Sequence, residues 1–200
     1  MALERQNIVE TALALLEGEG LEGLTMRRLA DALQVQAPSL YWHFPSKQAL
    51  LDDMADALLA DVAITRPPGQ SFRAQLRRLA NELRIAFSSH RDGAQLFATS
   101  FVQRENGQRL AAAVVTALTS VGFEPAVARR IEATLFQYVL GFVLAEQAAV
   151  RHQGTDLTVA TGDTSDFAFG LDLIVIGIGE PPLKNVDKVS EFMRALRAMD

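Results

Sequence analysis

The sequence predicts an all-α protein in two parts. Residues 1–64 form an N-terminal three-helix helix-turn-helix unit, and residues 65–200 form a larger helical domain. Three observations predict this. Apolar residues recur at helical spacing along most of the chain. Residues 25–47 run in the order cap, apolar triad, turn, proline, aromatic run, cap, lysine. Thr65-Arg66-Pro67-Pro68-Gly69-Gln70 holds two prolines and a glycine, which cannot continue a helix, so it reads as a linker.

The elements follow in chain order. Residues 4–18 predict a helix with Ile8, Val9, Ala12, Leu15 and Leu16 on one face, ended by Gly18 and Gly20. Thr25 is an N-cap, since its hydroxyl can accept from an orphan backbone N–H. Leu29, Ala30 and Leu33 then share a face over a helix at 26–33. Arg27 and Arg28 stay outside it, where a phosphate would lie. Gln34-Val35-Gln36 is a turn plugged by Val35. Pro38 opens a helix over 37–43, at a position where its missing N–H costs nothing. Leu40 and Phe44 anchor that helix, while Ser39, Tyr41, Trp42 and His43 project from it. Ser46 caps a helix over 46–63 with Leu50, Leu51, Met54, Leu58 and Val62 inward, and Lys47 sits in its first turn.

After the linker the pattern predicts helices at 71–89, 93–100, 105–120, 125–152 and 165–178. Residues 153–165 lack apolar periodicity and predict a mobile loop. Ile174-Val175-Ile176 is also good strand sequence. Residues 186–199 have amphipathic spacing through Val189, Phe192, Met193 and Leu196. The helices at 125–152 and 165–178 carry more apolar surface than one face needs, which predicts burial in a homodimer.

Composition permits one large or two modest domains in 200 residues, 49% of them hydrophobic. There are no cysteines, so no disulfide framework and no thiolate chemistry. The first 20 residues carry charges and helical periodicity rather than a signal peptide, and the longest apolar run, Leu173–Ile178, falls far short of the ~20 residues a bilayer requires. The expectation is a cytoplasmic protein with no membrane partner. Net charge runs against a nucleic-acid partner. The chain carries −5, and residues 1–63 hold four basic side chains against ten acidic ones, a net of −6. Arg27, Arg28 and Lys47 flank the predicted reading helix, however. That placement implies site-specific binding with weak affinity for random duplex.

Other classes fare worse. His90-Arg91-Asp92 is like a kinase catalytic loop, but the asparagine, the Asp-Phe-Gly motif, the glycine-rich loop and its lysine are missing. His43, His90 and His152 lie on separate elements without ligand spacing, so no metal and no cofactor are expected. Gly177-Ile178-Gly179 is a lone Gly-x-Gly. A helical protein–protein adaptor, using Tyr41 and Trp42 as an interface patch, is the remaining alternative.

Gly20-Leu21-Glu22-Gly23-Leu24-Thr25, Leu40-Tyr41-Trp42-His43 and Ala49-Leu50-Leu51-Asp52 resemble the DNA-binding domain of the TetR family, within it the tetracycline-repressor subgroup. Ser89-His90-Arg91-Asp92-Gly93-Ala94 resembles a signature of the subgroup's ligand domain, and Phe169-Gly170-Leu171-Asp172-Leu173-Ile174 its dimerisation helix. The resemblance implies a homodimeric regulator, read as a repressor, that a small-molecule effector releases from a palindromic double-stranded DNA operator. It implies base-edge roles for Arg27, Pro38, Ser39 and Tyr41, and phosphate roles for Trp42, His43 and Lys47. Ala37 departs from the subgroup's glutamine, and Ser39 replaces threonine.

At the subgroup's magnesium–tetracycline positions the chain carries Phe97, Leu79, Leu83, Ala145 and Phe101, where the subgroup has histidine, asparagine, phenylalanine, glutamate and arginine. Mg²⁺ requires oxygen ligands, so the expectation is no metal and a mostly apolar effector. Candidate effector contacts are Leu79, Leu83, Phe97, Ser100, Phe101, Val114, Leu135, Tyr138 and Glu146, with Ser100, Tyr138 and Glu146 as the polar groups that would orient it.

Overall fold

The computed structural model describes residues 3–65, 67, 69–100, 104–151 and 164–179. Among them the chain forms nine helices and no strand. These are α1 (Arg5–Gly23), α2 (Met26–Ala32), α3 (Ala37–Tyr41), α4 (Lys47–Ala57), α5 (Phe72–Ser88), α6 (Gly93–Thr99), α7 (Glu105–Thr119), α8 (Pro125–Arg151) and α9 (Thr164–Gly177). The predicted helix at 186–199 and nearly all of the predicted loop at 153–165 lie outside the described residues.

Helix α1 buries Ile8, Val9, Ala12 and Leu16, as its periodicity requires. It does not end at Gly18. It continues to Gly23 through a kink at Gly20, where φ is 71° and ψ 177°, a conformation open to glycine and costly for other residues. The kink frees the Leu21 N–H, which donates to Asp92 Oδ2 at 3.0 Å. A Cβ on Gly20 would lie 2.9 Å from that same oxygen. Conformation and close approach thus both select glycine.

Helix α2 starts on Thr25, whose Oγ1 accepts from the Arg28 N–H at 3.2 Å. It ends on a left-handed residue, Gln34 (φ 56°). The Gln34 N–H donates to Asp31 O at 3.1 Å and the Val35 N–H to Ala30 O at 3.0 Å, which closes the last turn in the Schellman pattern. A non-glycine residue there costs roughly 1–2 kcal/mol, and these two bonds hold it. Helix α3 stops at Tyr41, two residues short of the predicted end. Pro45 disfavours helical backbone at Phe44, and Trp42 and His43 fall in the turn between.

Helix α4 also stops early, at Ala57 instead of residue 63. Beyond it the bonds shorten to three-residue spans: Leu59 N–H to Asp56 O, Ala60 N–H to Ala57 O and Val62 N–H to Leu59 O, at 3.0–3.2 Å. Arginines from the second domain accompany this exit. Arg109 donates to Ala60 O at 2.9 Å, and Arg78 donates to Thr65 O at 2.7 Å and to Ala63 O. Leu58 and Val62 remain buried, as predicted.

The second domain packs α5 against α8, α6 and α9, and α7 against α8. Leu76, Leu79, Leu83 and Phe87 of α5 meet Leu135, Val139 and Val143 of α8 in one continuous core. Helix α9 confirms helix over strand at 174–176. It packs closely on α8: a Cβ on Gly170 would lie 2.4 Å from the Tyr138 hydroxyl, which donates to Phe167 O at 2.8 Å. By length and composition α8 is apolar enough to cross a bilayer, with a mean hydropathy of 1.3. Only 17% of its most apolar stretch is buried within the chain. Helix α9 likewise leaves Phe169, Leu173 and Ile176 exposed.

The two parts are fastened through polar contacts. Asp56, 8% exposed, accepts from the backbone N–H of Asn106 at 3.2 Å and of Gly107 at 3.0 Å, and from Asn106 Nδ2 at 3.0 Å. A carboxylate from α4 thereby meets the free N–H groups and positive dipole end of α7. Asp53, one turn earlier, pairs with Arg5 Nε at 2.5 Å and with the Arg104 guanidinium at 2.7 Å. Gln48 Nε2 donates to Thr99 O at 3.0 Å. Glu17 accepts from the Arg91 N–H at 3.0 Å and meets His90 Nδ1 at 2.6 Å.

Asp56→Ala strands those donors at the start of α7. Urea unfolding should show a loss of about 1–3 kcal/mol. An unfolding curve superimposable on that of the unsubstituted chain would show that the carboxylate holds nothing.

Candidate nucleic-acid interface and effector cavity

The end of α3 and the turn after it place two aromatic side chains in solvent. Trp42 is 91% exposed and Tyr41 50%, while their neighbours Leu40 and Phe44 are fully buried. Leu40 and Phe44 fix the segment, so the outward pair is held in place without contributing to the core. Arg5 secures it further: its guanidinium donates to His43 O at 2.5 Å and lies 4.2 Å from the centroid of the Phe44 ring.

The other predicted groups gather on the same unit. Arg27 and Pro38 are exposed, and Ala37, Ser39, His43 and Lys47 are partly exposed. Arg27 has no side-chain partner among the described residues. Arg28 is different. It pairs with Glu19 and donates to Gly23 O at 3.3 Å, so its cation is already partly neutralised.

The predicted effector residues do not line one cavity. A cavity of about 330 Å³ lies between the end of α6, the start of α7, α8 and Leu59. Of the eight candidates among the described residues it holds Phe97 and Ser100. Leu59, Gly107, Leu110, Ala111, Glu132, Phe136 and Leu140 supply most of the remaining wall. Leu79, Leu83, Val114 and Leu135 are buried core. Phe101 lies outside the described residues.

The three predicted orienting groups all have internal partners. Tyr138 is bonded to Phe167 O, and Ser100 Oγ donates to Leu96 O at 2.8 Å. Glu146 is gripped by Arg84 through both oxygens. Arg84 also lies over the rings of Phe142 and Phe167, at 5.3 and 4.7 Å. Tyr138, Phe142 and Glu146 share one face of α8, whereas Glu132, Phe136 and Leu140 share another. Two larger clefts, about 590 and 690 Å³, are lined by charged groups that already pair, such as Arg5, Asp53 and Arg104 in one and Glu17 and His90 in the other.

Glu132 was missed by the sequence reading. Its signal is a charge at i, i+4, i+8 spacing with Phe136 and Leu140, on a helix with extensive apolar surface. Burial pushes its carboxyl above the usual range near 4.5, because an apolar wall disfavours the charged form. Phe97 packs on Phe136 with centroids 5.2 Å apart and on Phe87 at 4.7 Å, which makes the floor aromatic.

Outward aromatics on a helix-turn-helix head, joined to a helical domain with an apolar cavity, define a DNA-binding transcription regulator with a small-molecule sensor. Comparison with known proteins agrees. Residues 8–54 match the family model described as bacterial regulatory proteins, tetR family. Residues 66–161 match the tetracyclin repressor-like C-terminal domain. The chain is 35% identical over 167 residues to tetracycline repressor protein class C of Escherichia coli, covering 81% of this chain and 76% of that protein. It is similar to a TetR variant from Acinetobacter baumannii AYE solved in complex with minocycline, with a TM-score of 0.76, 35% identity, and 88% and 96% of the two chains covered. It is also similar to BioQ solved with its double-stranded DNA operator, with a TM-score of 0.75, 33% identity, and 88% and 98% covered. The chain belongs to the TetR family. Its relatives are transcriptional regulators rather than enzymes, and TetR-type proteins act as dimers.

A raised carboxyl pKa has a definite sign for stability. The folded chain holds the Glu132 proton more tightly than the unfolded chain does. Stability on this account is therefore greatest at low pH and falls as pH rises from about 4.5 through the folded value. Glu132→Gln should raise the melting temperature at neutral pH, with the gain shrinking as pH falls toward 4.5. A variant that melts lower than the parent at neutral pH contradicts this.

Proposed function

We propose that the chain is a homodimeric repressor of a palindromic operator, released when a mostly apolar effector fills the cavity beside Phe97 and Phe136. The observation that carries the DNA half is Trp42: a tryptophan almost wholly in solvent, on a segment anchored from behind by Leu40 and Phe44. Base edges fall to Arg27, Pro38, Ser39 and Tyr41, and phosphates to Trp42, His43 and Lys47. Ala37 offers only a methyl contact, so the operator differs at that step from one read by glutamine. Arg28 is a weaker candidate because Glu19 competes for it.

Pairing is assigned to α8 and α9. Phe169, Leu173 and Ile176 stand on one stripe of α9 at i, i+4, i+7 spacing and are exposed in the single chain. Covering this stripe with its copy removes a patch that water disfavours. A dimer sets two heads about 34–36 Å apart, the spacing of successive major grooves. The head is assigned to residues 1–64 and the sensor to 65–200.

The cavity supports a short route from effector to DNA. Its wall includes Leu59, just past α4, and Gly107, whose N–H Asp56 accepts. An occupant that displaces either one strains the fastening between α4 and α7, and α4 carries the head. Release is a population shift, and operator binding must weaken effector binding by the same factor.

Operator selection from random duplex, followed by affinity measurement, tests this reading. Arg27→Ala should weaken binding by about 1–3 kcal/mol and relax preference at one base pair per half-site. Equal loss on every sequence would reassign Arg27 to phosphate, and failure of the unsubstituted chain to select any palindrome would overturn the reading.

A further inference from the structure

We propose that the effector carries one cationic amine on an apolar body, and that Glu132 is the counter-charge that selects it. This rests on reading the α6–α7–α8 cavity as the effector site. The wall is more apolar than polar: Leu59, Phe97, Leu110, Phe136 and Leu140 make up much of it. Among the described residues its polar side chains are Ser100 and Glu132. The Ser100 hydroxyl is already donated to Leu96 O at 2.8 Å. Among the described residues no arginine, lysine or histidine lines the cavity. Among the described residues, no donor reaches the Glu132 carboxylate.

Three other carboxylates at least partly withdrawn from solvent are answered. Asp56 meets the start of α7, Asp53 two arginines, and Glu146 Arg84. Glu132 is not answered, and it faces a cavity. A charge against apolar walls is unfavourable until a partner arrives. Burial raises its proton affinity, which reports the same uncompensated state. An amine inside the cavity satisfies it with a charge-assisted hydrogen bond. The faces of Phe97 and Phe136 then hold the apolar body, and they attract a cation as well. A neutral molecule leaves the carboxylate unanswered, and an anion is repelled. The volume, about 330 Å³, suits a small molecule at the lower end of ligand pockets.

The test uses three probes of one shape: 4-phenylbutylamine, 4-phenylbutan-1-ol and 4-phenylbutanoate. Each is titrated calorimetrically into the full chain near neutral pH, then into Glu132→Gln and into the cavity-filling Ala111→Phe. The amine should bind the unsubstituted chain about ten-fold or more tighter than the alcohol, with the acid weakest. Glu132→Gln should erase that preference and leave the alcohol unchanged, with a thermal melt confirming its fold. Ala111→Phe should lose all three probes. Equal binding of amine and alcohol, or a preference that survives Glu132→Gln, overturns the assignment of charge while leaving the cavity an effector site. Binding that survives Ala111→Phe, or no binding of any probe to the unsubstituted chain, overturns the cavity reading and the proposal together.

Discussion

Near the end of α4 a carboxylate leaves solvent and enters the N-terminus of a helix from the other half of the molecule. Asp56 is 8% exposed, and desolvating it costs several kcal/mol unless its oxygens are answered. Three N–H bonds from Asn106 and Gly107, aided by the dipole of α7, supply the answer. Such an arrangement tolerates little displacement, since a hydrogen bond weakens within a few tenths of an ångström of stretch. The head is thereby set against the sensor at one angle. Asp53, Gln48 and Glu17 add further fastenings around the same junction. The cavity bordered by Leu59 and Gly107 lies against this junction, so an occupant there would have only a short distance over which to act.

The same contacts explain why an acidic head suits a DNA-binding regulator. Part of its negative charge is engaged in contacts within the chain. Glu17, Asp53 and Asp56 face the sensor, and Glu19 is paired with Arg28. Arg27 and the aromatics Tyr41 and Trp42 stay exposed. The head thus reconciles a net charge of −6 over residues 1–63 with a local face that can meet phosphate. Low attraction to random duplex follows from the same division.

Much of the fold was legible because local signals and burial agreed. Thr25 and Ser46 cap as their hydroxyls allow, and Leu29, Leu40, Phe44, Leu50 and Met54 are buried where periodicity puts them. Trp42 was legible as an outward residue only through the order of its neighbours. The errors came from partners distant in sequence. Nothing local says that α1 bends at Gly20 to reach Asp92, or that arginines of α5 and α7 will meet the carbonyls beyond Ala57. The effector site suffered most. Tyr138 and Glu146 read as free polar groups, yet Phe167 and Arg84, on other helices, occupy them. Glu132 was not legible as a site residue, because periodicity reports which face is apolar and not whether that face meets a cavity.

The claim that Asp56 sets the angle of the head can be measured directly. The chain has no cysteine, so Gln36→Cys, on the exposed turn before α3, accepts a single spin label per protomer. Pulsed electron resonance on the dimer then reports the distance between the two heads. The account predicts one narrow distribution when Asp56 is present and a markedly broadened one in Asp56→Ala, with the sensor pairing intact. The same narrow distribution in both would contradict it.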